Sequence, residues 1–256
     1  MKTRYYILTG LIAYLFFTLG NVPAAKVIPL IESATPIPAK LYGVYGSLWN
    51  GGADKAIIKG QPPVEDLQWS INPASLLLAH VSGEAKASIK QQNIIGNFSI
   101  SPGGTVSASD VRARIDAAVL QELVSLPVGE LGGTFNINIQ SLEFNAEGFP
   151  DVTADIKWKN AQLTLLETVK LGDINLSLKP GEQDQLLAKI NNKKGELSIQ
   201  GDGEVNHKKM YAINVSITPQ DTASDNVKQS LKMFTRRQAN GSYLLKRKGN
   251  LQEFGL

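Results

Sequence analysis

Apolar and polar residues alternate in twos along most of this chain after residue 26, and the alternation predicts strand after strand. Phe135, Ile137 and Ile139 share one face, with Asn136, Asn138 and Gln140 on the other. Ile174, Leu176 and Leu178 oppose Asn175, Ser177 and Lys179, and Ile213, Val215 and Ile217 oppose Asn214, Ser216 and Thr218. Val111, Ala113 and Ile115 oppose Arg112, Arg114 and Asp116. Shorter alternations are Ala85, Ala87 and Ile89; Phe98 and Ile100; Ile156 and Trp158; Leu197 and Ile199. Side chains alternate across a strand, so each segment buries one face and wets the other.

Turn signals separate these segments: Pro102-Gly103-Gly104, Gly132-Gly133, Pro180-Gly181, Asn192-Lys193-Lys194-Gly195 and Gly201-Asp202-Gly203. Their spacing predicts antiparallel hairpins and meanders, not βαβ crossovers. Helices are few. Asn72-Pro73 reads as a cap with proline at the first helical position, opening a short turn through Leu76, Leu77 and Leu78. Residues 117–126 carry Val119, Leu120, Leu123 and Val124 at helical spacing before Pro127, and Val227, Leu231 and Phe234 recur at i, i+4 and i+7. Three short helices cannot cover the apolar face of so many strands. The expected fold is therefore all-β with few short helices: an antiparallel sheet that curls, partly rolls, pairs as a sandwich or leaves an apolar groove.

The pattern fails ahead of this region. No charged residue lies between Arg4 and Lys26, and the stretch 5–22 includes Tyr5, Ile7, Leu8, Leu11, Ile12, Leu15, Phe16, Phe17, Leu19 and Val22. At about 1.5 Å of rise per residue it just crosses a hydrocarbon core about 30 Å thick. Lys2 and Arg4 precede it, so the positive-inside bias keeps the N-terminus cytoplasmic and sends the rest outward. A cleaved secretory signal, with small residues at Ala24 and Ala25, is the competing reading, but the apolar run exceeds the usual length of such a core. The expected organisation is residues 1–25 as cytoplasmic N-terminus and single-pass signal anchor, and 26–256 as a periplasmic β domain.

Composition adds exclusions. The remaining chain of about 230 residues suffices for one large β domain or two small ones. A net charge of +3 with dispersed bases is too little for a nucleic-acid binder. The chain has no cysteine, which excludes disulfides and thiolate metal sites. His80 and His207 stand alone, at a helix end and a hairpin tip. No nucleophile elbow, zinc-protease helix or phosphate loop is present. Gly201-Asp202-Gly203-Glu204 lacks calcium-loop spacing and reads as a turn. Glu143 and Glu147 are carboxylates on a polar face without an acid–base partner arrangement. No catalytic, metal or cofactor residue is therefore expected. The bases Arg236-Arg237 and Lys246-Arg247-Lys248 suit either anionic headgroups or an edge strand guarded by lysines.

Four segments carry a resemblance. Gly46-Ser47-Leu48-Trp49-Asn50-Gly51-Gly52-Ala53 resembles a G-x-hydrophobic-W-x-G-x-A element following an anchor. Trp69-Ser70-Ile71-Asn72-Pro73-Ala74-Ser75-Leu76-Leu77 resembles W-x-hydrophobic-x-P-x-x-L-L, and Trp158-Lys159-Asn160-Ala161 is similar to a later W-x-x-A strand. The end, from Gly241 through Tyr243 to Gly249 and Leu251, resembles G-x-Y-x-hydrophobic-x-x-x-G-x-L. In this order they resemble the N component of the bacterial type II (general) secretion system. Tyr45 and Leu48 framing the first tryptophan, with an extra Asn50-Gly51-Gly52, depart from the pattern and leave the turn there open. The resemblance implies a non-enzymatic accessory protein of the inner membrane. Its periplasmic β domain would contact other secretion subunits and support export of folded proteins. More distantly the chain looks like AsmA-type β proteins, which implies an alternative: a periplasmic groove that binds or transfers lipid. Trp49, Trp69 and Trp158, each near glycine, are expected to pack over the backbone gap that glycine leaves, or to present a partner-docking surface.

Overall fold

A computed structural model describes residues 10, 18, 20–34, 39–58, 62–124, 129–144, 151–164, 167–182 and 184–251. The chain divides into two compact units, residues 1–102 and 103–256. Both are antiparallel meanders with few short helices, so the all-β expectation is met. No strand pairing closes either sheet into a barrel among the described residues.

The first unit holds α1 (Ala24–Ala34), β1 (Ala39–Gly46), β2 (Asn50–Ile58), β3 (Val64–Ile71), a 3-10 turn (Pro73–Leu78), β4 (Val81–Ile89) and β5 (Gln92–Ile100). Strands pair in chain order. The 3-10 turn forms as expected: Asn72 caps it, its side chain accepting the Ala74 N–H at 3.0 Å, and Pro73 needs no donor there. Helix α1 was not expected. It contains Pro29, and its Glu32 carboxylate accepts the backbone N–H of Leu41 in β1 at 2.8 Å.

The second unit holds β6 (Val106–Asp116), α2 (Ala117–Val124), β7 (Glu130–Phe144), β8 (Asp151–Thr164), β9 (Thr168–Pro180), β10 (Gln185–Lys193), β11 (Leu197–Asn206), β12 (Met210–Pro219), α3 (Asp225–Phe234), β13 (Arg236–Arg237) and β14 (Tyr243–Asn250). Its strands also pair in order, except that β14 lies between β12 and β13. Helix α3 starts where Ser224 Oγ accepts the Val227 N–H at 3.2 Å, and Val227 sits buried with Ala161, Val169, Leu171, Ile174, Leu197 and Ala223. Leu231 and Ile217 pack against the same cluster. A buried valine of this kind contributes about 1.5–3 kcal/mol. One amphipathic helix thus packs on part of the apolar face over β8–β12; Ile213, on the same face as Ile217, is left 39% exposed.

Two expected turns are strand interior. Gly132-Gly133 lies inside β7 at a register shift against β8, and Gly133 has φ +99. A Cβ there would stand 2.6 Å from the Asn160 carbonyl oxygen, so glycine is needed for a bulge, not a reversal. Gly201-Asp202-Gly203 runs through the middle of β11, paired with β10 on one side and β12 on the other. Gly201 is small because a Cβ would sit 2.6 Å from the Asn214 carbonyl oxygen. Both glycines therefore serve close backbone approach within a strand.

The bulge in β7 continues sideways. Asn160 in β8 (φ 49) and Gly172 in β9 (φ +74) sit at neighbouring positions in left-handed conformation. Inward-facing residues are consequently three apart there, as Leu171 and Ile174 are, instead of two. The pleat reverses along this line without ending the strands, which reach 13 to 15 residues in β7–β9.

Candidate interaction surface

The described residues contain no cluster of histidine, aspartate and glutamate able to hold a metal. His80 follows the 3-10 turn, its backbone N–H bonded to the Ser75 carbonyl at 3.2 Å, and His207 is in the turn between β11 and β12. Glu143 lies on β7, whereas Glu147 is outside the described residues. The Asp173 carboxyl is held below its ordinary value of 3.8. The backbone N–H of Asn160, at 3.1 Å, is the main cause, and the Lys159 ammonium, at 3.3 Å, the next. This carboxylate fixes the left-handed residue of the bulge.

The tryptophan and glycine motif positions assemble into three structural clusters. At one end of the first sheet, Gly46 (φ +75) leads β1 into the turn Ser47-Leu48-Trp49, and Ser47 N–H bonds the Asn50 carbonyl at 2.9 Å. The Trp69 indole N–H reaches the Leu48 carbonyl at 2.9 Å, and its ring lies over Gly51. Ala53 is fully buried beside it. The Trp49 carbonyl accepts the Ile71 N–H at 2.6 Å, which ties the end of β3 to the same turn.

In the second unit, Trp158 stacks on Phe135, its register partner, with centroids 4.8 Å apart, and donates its indole N–H to Gly132 at 2.9 Å. Ala161 is buried one bulge further along β8. Near the C-terminal end, Gly241 (φ +82) turns the chain into β14, where Tyr243 is buried and Gly249 lies under Tyr211.

The apolar stretch 5–22 lies outside the described residues, apart from residues 10, 18 and 20–22. Among the described residues no helix is long and apolar enough to cross a membrane. Val22 accepts the Leu48 N–H at 2.8 Å, and Pro23 forms a bridge with Ser47. The chain leaving the apolar stretch is therefore fastened to the β1–β2 turn, a contact that no sequence signal marks.

Leu76 and Leu77 behave differently from the other motif residues. Relative exposures along the 3-10 turn are 47% for Leu76, 88% for Leu77 and 75% for Leu78. Its backbone is nevertheless fixed: Ser75 Oγ donates to Asn72 and accepts the Ser82 N–H at 3.2 Å. Three leucines held outward on a short, braced turn form an apolar contact surface.

A family model described as "Type II secretion system (T2SS), protein N" matches residues 38–246, spanning most of both units. No curated protein and no solved structure matches the chain.

Proposed function

The chain belongs to the type II secretion system protein N family, and from that membership we propose that it is an accessory subunit of the secretion apparatus in the bacterial inner membrane. Residues 5–22 hold it there with the N-terminus cytoplasmic, and residues 26–256 stand in the periplasm. The domain works through contacts with other secretion subunits. The family is a component of secretion machinery and is not known as an enzyme.

The observation that carries this reading is the family match over residues 38–246. The uncharged run between Arg4 and Lys26 supports the anchor. The lipid-groove alternative has no observation of its own, and α3 packs on part of the apolar face over β8–β12.

Replacing residues 1–25 with a cleavable secretory signal tests it. The expected result is release of the domain into the periplasm together with weakened secretion of the exported proteins. Normal secretion from a strain lacking this chain would remove the functional reading.

A further inference from the structure

We propose that the leucine-bearing 3-10 turn seats the first unit on the membrane surface. This rests on the anchor reading above and extends it from where the chain is held to which end of the sheet faces the lipid.

The geometry places two features at one end of that sheet. The first is the exit of the apolar stretch, since Val22 and Pro23 bond to Leu48 and Ser47 in the β1–β2 turn. The second is the 3-10 turn, since β3 ends at Ile71 on the Trp49 carbonyl of that same turn, and Asn72 N–H bonds Ser82 at 2.8 Å. Val81, which starts β4, pairs with Ile100, itself 41% exposed. Leu76, Leu77, Leu78 and Ile100 thus gather an exposed apolar surface at the end from which the chain enters the lipid.

The occupant follows from tether length. Val22, the last residue of the apolar stretch, is itself bonded to Leu48, and Pro23 follows it in a bridge with Ser47, so no linker separates the stretch from the sheet. A sheet end held this close meets headgroups, and outward leucines on a braced turn gain by entering the boundary between headgroup and acyl chain. A soluble partner would have to displace that contact.

The absence of cysteine makes the test clean. Full-length chain carrying Leu77→Cys, labelled with an environment-sensitive fluorophore, is reconstituted into phospholipid vesicles containing lipid with a nitroxide high on the acyl chain. Asn93→Cys, near the far end of β4–β5, is the control. The expected result is a blue shift and loss of emission at residue 77 but not at residue 93. An alkaline wash of the vesicles tests the anchor separately. Chain that stays bound while residue 77 remains unquenched overturns the seat alone. Chain that washes off overturns the anchor, and the seat with it.

Discussion

Trp69 closes over Gly51, its register partner on the neighbouring strand: a Cβ on residue 51 would stand 2.7 Å from Trp69 Cζ2. The indole needs that position to reach the Leu48 carbonyl at 2.9 Å. The neighbours cannot yield, because the same Cβ would meet the backbone oxygens of Ser47 at 2.5 Å and Tyr45 at 2.8 Å. Gly51→Ala is expected to lower stability by about 2–3 kcal/mol, the overpacking cost plus a lost hydrogen bond. Trp69→Phe, which loses mainly the N–H bond, is expected to cost about 1 kcal/mol. Urea unfolding of the two variants measures the difference, and equal midpoints would refute the ring-over-glycine account.

The two glycines of β11 make a paired prediction. A Cβ on Gly201 would lie 2.6 Å from the Asn214 oxygen and 2.8 Å from Val215 Cα, whereas one on Gly203 meets nothing nearer than 3.5 Å. Gly201→Ala is therefore destabilising. Gly203→Ala is expected to gain about 0.5–1 kcal/mol, because alanine gives up less chain entropy in a strand. Thermal melts of both variants decide it, and a loss at Gly203 as large as at Gly201 would contradict the model of local crowding.

This pair also shows how far the sequence was legible. Where apolar residues alternate strictly, as from Phe135 to Ile139 or Ile213 to Ile217, the strands could be read directly, although Ile213 itself is 39% exposed and not buried as its face predicts. Glycine carries two meanings, a turn or a close approach, and only the neighbouring strand distinguishes them. That is why Gly132-Gly133 and Gly201-Asp202-Gly203 were misread. Asn160 and Gly172 sit where the pleat reverses, so Ala161 and Leu171 fall out of the period of two that identifies Trp158 and Ile174. The β4–β5 turn, Lys90-Gln91, has both residues at positive φ without the glycine or asparagine that would announce it. Helix α1 was hidden by Pro29, which removes the donor for the Ala25 carbonyl, and is held instead from outside by Glu32 on β1. The motif tryptophans were visible as a set, but the fastening of Val22 to Leu48 is a backbone contact and leaves no mark in side-chain chemistry.

Asp173 gives the fold a predictable acid response. Its carboxyl is held below 3.8, first by the Asn160 N–H and then by Lys159, so the unfolded chain takes up the proton more readily than the folded one. The stabilisation is complete above the ordinary carboxyl value and is lost as pH falls through the depressed folded one. Asp173→Asn should therefore melt below the parent at neutral pH, and the two melting temperatures should converge as the pH is lowered past 3.8. Added salt should narrow the neutral-pH gap, because the Lys159 contact is exposed. A gap that does not change with pH would assign the effect to shape and not to charge.

The basic run near the C-terminal end lies on a strand whose outer edge is largely unpaired among the described residues, where it is expected to act as edge protection. Lys246, Arg247 and Lys248 pair with Asn214, Ile213 and Ala212 of β12 on one side of β14. On the other side β13 reaches only Tyr243 and Leu244, so no further strand pairs with Leu245–Gly249 among the described residues. An unpaired strand edge is a template for another chain, and exposed basic side chains oppose that pairing by repulsion between copies. Substituting Lys246→Thr, Arg247→Val and Lys248→Thr together keeps strand propensity while removing all three charges. The full chain in detergent should then show a higher mass by light scattering than the parent, and the shift should shrink when any one charge is restored. Raising salt should move the parent in the same direction, since screening weakens the same repulsion. An unchanged mass in the triple variant would mean that backbone geometry alone protects this edge, and would leave the three bases free for contact with an anionic surface.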